Sequence, residues 1–474
     1  MSVIISRIMK LLNESSELIS VEEAIYRELL RFNAEIMGKI LTTLDKSAVM
    51  EKSLSGWKRV RADQRTLTFL FGSVEFTHTL METPEGSSVY PVHELLGLRP
   101  HQQYTPAVEL KVAELATKQT YRAAASTLAE WTPVSVSPTT VGTILKRVGN
   151  AQAESDEAQV KEMEEAASLP EGKQVAFLFA EADGVHIHGT EKKRSHEIHH
   201  AILYEGWKKN GKRVSLEEPT AILTTRSSSD FWKEVQVLSA SKYSIEKTQV
   251  VTNSDGGPGY TSEKFKTAFS QSDYPVLSQL DKFHISQALL RLCGTKEKEL
   301  AASLRKTIQR KEKDQFILLL DTYESQLKEK KEREKVEKFR SYILNNWDRI
   351  FDWRNVVEKA PEGARGTGAM ESRNRTVTFR MKRRGMHWSN QGAEAMVKVM
   401  QGLLNGTLKQ AYSRTVKVRR SRREQRRAKQ TFRLAQLMKD SVRPSDGTRK
   451  GRITLDSSQS SAMGRLVRSL TSPY

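Results

Sequence analysis

The 474 residues carry 77 Lys+Arg against 57 Asp+Glu, for a formal charge of +20 and a sequence pI of about 9.7. That length is two to three times the usual domain of about 150 residues, so an α/β core with accessory modules is expected, and the cationic balance points to a polyanion, nucleic acid before an anionic membrane. The longest apolar runs, such as Val175 to Ala180, fall far short of the roughly 20 residues that span a bilayer. Cys293, the single cysteine, excludes intramolecular disulfides and every CxxC-type zinc site, while Arg7 and Lys10 interrupt the apolar stretch that a secretory signal needs. The expectation is a cytoplasmic, nucleoid-associated protein that binds any metal through carboxylates or histidines.

Residues 1–98 read as an N-terminal helical and small β module: helices to about residue 50, then β-prone runs such as RTLTFLFGSVEFTHTLM before the turn-forming ETPEGSS. Residues 99–150 read as a helix-turn-helix DNA-binding domain, built from TPAVELKVAELATKQ, TYRAAASTLAEW and SPTTVGTILKRVG. Ser137 suits the cap of the third helix and Pro138 its first position, with Val141, Ile144, Leu145 and Val148 on one face. The opposite face carries Thr139, Thr140, Thr143, Lys146 and Arg147, groups that suit phosphates and base edges in a major groove. Three amphipathic helices are also what any small helical domain contains. A separate charged helical stretch, 151–167, follows.

Residues 172–290 change period. KQVAFLFAEADGVHIHG reads as a strand, an Asp-Gly turn and a second strand; EIHHAILYEGW as a third; TQVVTNSDGG as a short buried strand ending in Asp255; PVLSQLD as another, followed by the helix FHISQALLRL. Residues 291–366 are rich in Lys and Glu at helical spacing and read as an all-helical insertion. Helical pattern returns over 367–405, around Glu371 and after the capping Ser389, and 406–474 read as a basic tail containing Arg419, Arg420, Arg422 and Arg423.

Asp183 and Asp255 each follow a strongly apolar β-run and precede glycine. Alone, each reads as a turn residue. On neighbouring strands their oxygens could share hard cations, and a third carboxylate would complete a site for two ions. Asp281 and His284 stand nearly one helical turn apart at the start of a helix, an arrangement equally suited to helix capping. His186, His188, His196, His199 and His200 alternate along strands and so face opposite ways by parity, which argues against zinc.

VYPVHELLGL, the pair AAASTL and VSPTTV, EADGVHI, HAILYEGW, TNSDGG, LDKFHISQAL, and AMES followed by RMKRRGMHWS together resemble the ISLre-type bacterial insertion-sequence transposases, relatives of the Mutator-like DDE group. The resemblance runs from about Val89 to Met396. It implies an α/β RNase H-like catalytic core holding a two-metal site, interrupted by an insertion between the second aspartate and the glutamate. It assigns Asp183, Asp255 and Glu371 to catalysis and to two Mg²⁺ (or Mn²⁺) ions, with Glu362 and Glu394 as alternatives for the glutamate, and Asp281 with His284 to the Asp-x-x-His signature. The implied activity is cleavage of DNA strands and their transfer by 3′-hydroxyl attack, with duplex DNA as partner, no membrane, and a homo-oligomer on DNA. Arg380, Lys382, Arg383 and Arg384 would then neutralise phosphates, and Trp388 would stack on an unpaired base or fill the core. Two other functions fit the same residues: a non-catalytic DNA-binding protein derived from a transposase, and another RNase H-like nuclease.

Overall fold

The computed structural model describes residues 2–14, 17–166, 170–191 and 195–415; the tail arginines 419, 420, 422 and 423 lie outside them. The N-terminal region comprises α1 (Ser2–Glu14), the long α2 (Leu18–Leu54), a hairpin of β1 (Lys58–Phe69) and β2 (Gly72–Glu82), the short β3 (Ser88–Val89) and α3 (Pro91–Leu96). Apolar residues alternate along β2, so Val74 and Phe76 share one face and meet Leu41 of α2 together with Leu67, Val92 and Leu98. Gly38 allows this approach, because a Cβ there would lie 2.6 Å from the Glu75 carbonyl oxygen.

Three helices follow: α4 (Pro106–Lys118), α5 (Tyr121–Trp131) and α6 (Pro138–Glu165). A hydroxyl caps each one, with Thr105, Thr120 and Ser137 accepting from the amides of Val108, Ala123 and Thr140. The third helix does not stop near residue 150, as its sequence suggests. It runs unbroken to Glu165, because Gln152, Ala153 and Asp156 are buried against later parts of the chain, and that packing outweighs the helix-weakening Gly149. Gly149 lies where α6 crosses the backbone of Ala395.

The central sheet is formed by β4 (Phe177–His188), β5 (Ser195–Tyr204), β8 (Thr220–Thr224), β9 (Gln249–Ser254) and β10 (Leu277–Leu280), with the hairpin β6 (Gly206–Asn210) and β7 (Arg213–Glu217) between β5 and β8. Strand order is β10-β9-β4-β5-β8: β4, β5 and β8 form an antiparallel meander, and β9 and β10 are parallel to β4. Helix α7 (Ser228–Lys242) leads into β9 and α8 (Ser262–Ala268) into β10. Leu178, Ala180 and Ala182 pack on Phe231 and Val235 of α7, while Phe179 on the opposite face meets Trp353 and Met370. The turn expected at Asp183-Gly184 is absent. Both residues lie inside β4, paired with His200 and His199, and glycine is required there because Glu197 and the Tyr260 hydroxyl occupy the place of a Cβ.

Helices α9 (Lys282–Cys293), α10 (Lys298–Arg310), α11 (Lys313–Gln326) and α12 (Lys330–Asn345) close around Leu289, Leu304, Phe316, Val336 and Ile343, and two 3₁₀ turns lead on to α13 (Ala369–Met381) and α14 (Asn390–Leu404). The packed structure continues beyond the expected start of the tail at 406: residues 408–415 are helical, with Leu408, Ala411 and Tyr412 buried. Their i, i+3, i+4 spacing gives one apolar face. No described helix is long and apolar enough to cross a membrane.

Candidate active site

Register brings the aspartates together. Glu181 pairs with Asn253 across the parallel β4–β9 ladder and Leu280 with Ser254 across β9–β10, so Asp183, Asp255 and Asp281 stand level on three neighbouring strands. For Asp255 and Asp281 this is the carboxyl end of the strand, where open α/β sheets bind ligands.

Asp183 Oδ1 accepts from the Gly184 amide at 2.8 Å and Oδ2 from Asn374 Nδ2 at 2.7 Å. Burial first, and then the neighbouring Asp255 carboxylate, push the Asp183 pKa up to about 6; the Gly184 N–H and His284 act the other way. Asp255 Oδ1 accepts from the Gly257 amide at 2.8 Å, and Gly256 between them adopts φ +78°, which favours glycine. Asp281 caps α9 by accepting from the Phe283 amide at 2.7 Å, and its other oxygen accepts from Asn253 Nδ2 at 3.3 Å. His284 is half-buried one turn further on.

Glu371 lies exposed in the first turn of α13, and its carboxylate makes no hydrogen bond or ion pair among the described residues. The helix itself is held firmly. Glu181, buried in β4, accepts from the amides of Gly368 and Met370 at 3.0 Å each and from the Tyr204 hydroxyl at 2.6 Å, so a carboxylate neutralises the helix N-terminus. One turn beyond Glu371, Asn374 donates to Asp183 and accepts from His200 Nδ1 at 2.7 Å. Arg373 bears on His200 of β5, and Glu371, two residues earlier and thus about 200° around the helix, turns to the opposite flank of α13.

Among the described residues no group of three His, Cys, Asp or Glu side chains is arranged to hold one ion. The fold instead supplies the pair Asp183 and Asp255, and Mg²⁺ takes one or two carboxylates, leaving its other positions to water and phosphate. Two hard oxygen donors, one of them raised in pKa first by burial and then by its neighbour's charge, suit a divalent cation.

Several residues that build this site carry no sequence signal. The insertion reaches back to the Asp255 turn: Tyr342 donates to the Asp255 carbonyl at 3.0 Å, and Arg349 to the Ser254 hydroxyl at 2.7 Å. Behind the turn, Tyr260 donates to Glu197 at 3.0 Å and accepts from His199 Nδ1 at 2.7 Å, while its carbonyl accepts from Ser254. His199 and His200 do face opposite sides of the sheet.

The expected DNA contacts divide. Thr139, Thr143 and Lys146 form an exposed stripe along α6, and Thr140 is tied to the Ser137 cap. Arg147 pairs instead with the buried Glu109, which it shares with Arg99 at 2.7 Å and the Tyr412 hydroxyl. Arg380 is buried too: its Nε donates to the Ala116 carbonyl at 2.7 Å and its guanidinium lies near the rings of Tyr121 and Trp388, so desolvation lowers its pKa to about 10. Trp388 is only 5% exposed and donates to the Met381 carbonyl, so it fills the core and offers no face to a base. Lys382, Arg383 and Arg384 remain exposed. Of the alternative glutamates, Glu394 accepts from Thr224 and Thr225, and Glu362 lies in an exposed loop.

The fold and site define an α/β protein with an acidic row across parallel strands, a three-helix module and a helical insertion. The chain belongs to the uncharacterised protein family UPF0236, whose pattern matches residues 11–418. It is 30% identical over 410 residues to a UPF0236 protein in the vanSb 3′ region of Streptococcus gallolyticus, covering 86% of this chain and 88% of that one. Two UPF0236 proteins of Caldanaerobacter subterraneus subsp. tengcongensis are each 23% identical, one over 352 residues (74% of this chain, 70% of that one) and one over 381 (79% and 75%).

Proposed function

We propose that the chain is a DDE transposase of a bacterial insertion sequence, of the ISLre type, acting on DNA through an RNase H-like core. One observation carries the reading: Asp183 and Asp255 stand level on adjacent parallel strands, and the helix bearing Glu371 returns, after a four-helix excursion, to hold Asp183 through Asn374. The antiparallel meander extended by two parallel strands supports the RNase H-like reading of the core. The name of one relative joins many locus designations of a single genome, as repeated copies of a mobile element would.

Asp183, Asp255 and Glu371 would hold two Mg²⁺ or Mn²⁺ ions, which supply an activated oxygen nucleophile and stabilise the leaving oxygen of an in-line displacement. The chain's own residues then have distinct tasks. Asn374 fixes the Asp183 carboxylate, and Tyr342 and Tyr260 fix the Asp255 turn. Thr139, Thr143 and Lys146 read the element end, and Lys382, Arg383 and Arg384 attract phosphates. Water cuts at the transposon end, and the freed 3′-hydroxyl attacks a target phosphodiester without a covalent protein intermediate. The protein would work as a homo-oligomer on nucleoid DNA.

The test is to incubate purified protein with the ends of its own element and Mg²⁺, then map strand cuts. Cuts at the ends that vanish in Asp183→Asn support the reading. Tight binding of the ends without cutting, under Mg²⁺ and Mn²⁺ alike, would assign the chain to the non-catalytic DNA-binding class.

A further inference from the structure

On the flank of α13 that carries Ser372, Arg373 and Thr376, an open cleft of about 760 Å³ lies between the β6–β7 hairpin and the loop 364–368. Among the described residues Arg365 and Arg373 line it without ion-pair partners, and no carboxylate lines it. The third arginine, Arg354, is already paired with Asp352 at 2.7 Å. Gly366 bares its backbone to the cleft, since a Cβ there would meet no atom within 4 Å, whereas the Gly368 amide is already given to Glu181, and the hydroxyl residues Ser215 and Thr376 complete the walls. Two unpaired guanidiniums, hydroxyls and open backbone make a receptor for phosphate groups.

We propose that this cleft holds the phosphodiester backbone of a DNA strand next to the nucleotide engaged by the acidic row, an inference that rests on the function proposed above. Residues 371 to 376 span about 7.5 Å of helix axis, at 1.5 Å per residue. A strand crossing α13 therefore meets Glu371 on one flank and Arg373 on the other. The cleft is a second contact surface, separate from the helix-turn-helix stripe, and it serves backbone positioning, with no base reading.

Cys293 is buried, so a cysteine at the exposed Ser215 becomes the reactive thiol of the described structure. In full-length Ser215→Cys protein, maleimide labelling should slow several-fold when a short single-stranded oligonucleotide is added, and should not slow with inorganic phosphate at the same phosphate concentration. In parallel, Arg365→Gln with Arg373→Gln should flatten the dependence of log affinity on log salt by about 1.4, at about 0.7 per single-strand phosphate contact. Equal protection by inorganic phosphate would make this a free-anion site and overturn the proposal. So would labelling unaffected by the oligonucleotide, or an unchanged salt slope. If element ends are still cut in Mg²⁺, such a failure removes the cleft alone; if the wild-type protein binds no DNA, the function proposed above falls with it.

Discussion

Lys398 is fully buried in α14, with its ammonium 2.9 Å from Asp156 of α6 and 2.6 Å from Glu234 of α7. Gln401 and Gln152 also donate to Asp156, at 2.9 and 2.7 Å, so one cation and two amides hold two buried carboxylates where the three-helix module meets the sheet domain. Lys398→Met deletes the cation and leaves both acids in a dry site, one of them already raised in pKa by burial. Breaking such a pair from one side costs about 3–5 kcal/mol. A domain of 150–250 residues loses about 2–4 °C of Tm per kcal/mol and a larger unit somewhat less, so a fall of roughly 5–10 °C is expected. Denaturant unfolding followed by circular dichroism, with calorimetry, measures it. The triple variant Asp156→Asn, Glu234→Gln, Lys398→Met removes the three paired charges at similar volume and should recover most of the loss. A single variant within about 0.5 kcal/mol of wild type, below the usual effect of a core change, would refute the reasoning. A triple variant no better than the single would refute it too, since the loss would then come from packing.

On the proposed function, in which the acids serve chemistry and the basic surfaces serve binding, Asp183→Asn or Asp255→Asn should abolish strand cutting while leaving duplex affinity within a few-fold; equal loss of both in gel-shift and cleavage assays would point to a structural role. Asn374→Ala frees one Asp183 oxygen and orphans the buried His200 Nδ1, so cutting should fall at least tenfold with a stability loss of about 1–3 kcal/mol; unchanged cleavage would remove Asn374 from the site. Burial, first among its causes, depresses the His200 pKa from 6.5 to about 4, so the unfolded chain binds the extra proton first. Its contribution is therefore complete above pH 6.5 and is lost as pH falls towards 4, by about 3 kcal/mol in all; the stability difference between wild type and His200→Gln should vary with pH across that window and not above it. Truncation after Lys417, which spares the buried Leu408 and Tyr412, should flatten the salt dependence of duplex binding by several units if the tail arginines meet phosphates. An unchanged slope would exclude them.

Local chemistry is what the sequence could disclose. Ser137 and Pro138 announce the start of α6, apolar runs announce β4 and β9, and Lys/Glu-rich helical spacing announces the insertion, because capping, alternation and amphipathicity depend on residues a few positions apart. The aspartates were legible as carboxylates closing apolar runs; that they stand level depended on strand register, which no local pattern states. Asp183-Gly184 shows the limit from the other side. Its dipeptide signals a turn, yet the glycine is there to admit Glu197 and Tyr260 beside an unbroken strand. Basic residues diverged for the same reason: Lys146 and Arg147 are neighbours in sequence, but only Arg147 lies within reach of a buried Glu109, and Arg380 is drawn into an aromatic pocket while Lys382 stays in water. Asn374 and Asp183 are separated by 191 residues, and Tyr342 and Asp255 by 87. A desolvated polar group takes whichever partner the fold brings to it, and only the packing of distant segments decides which one that is.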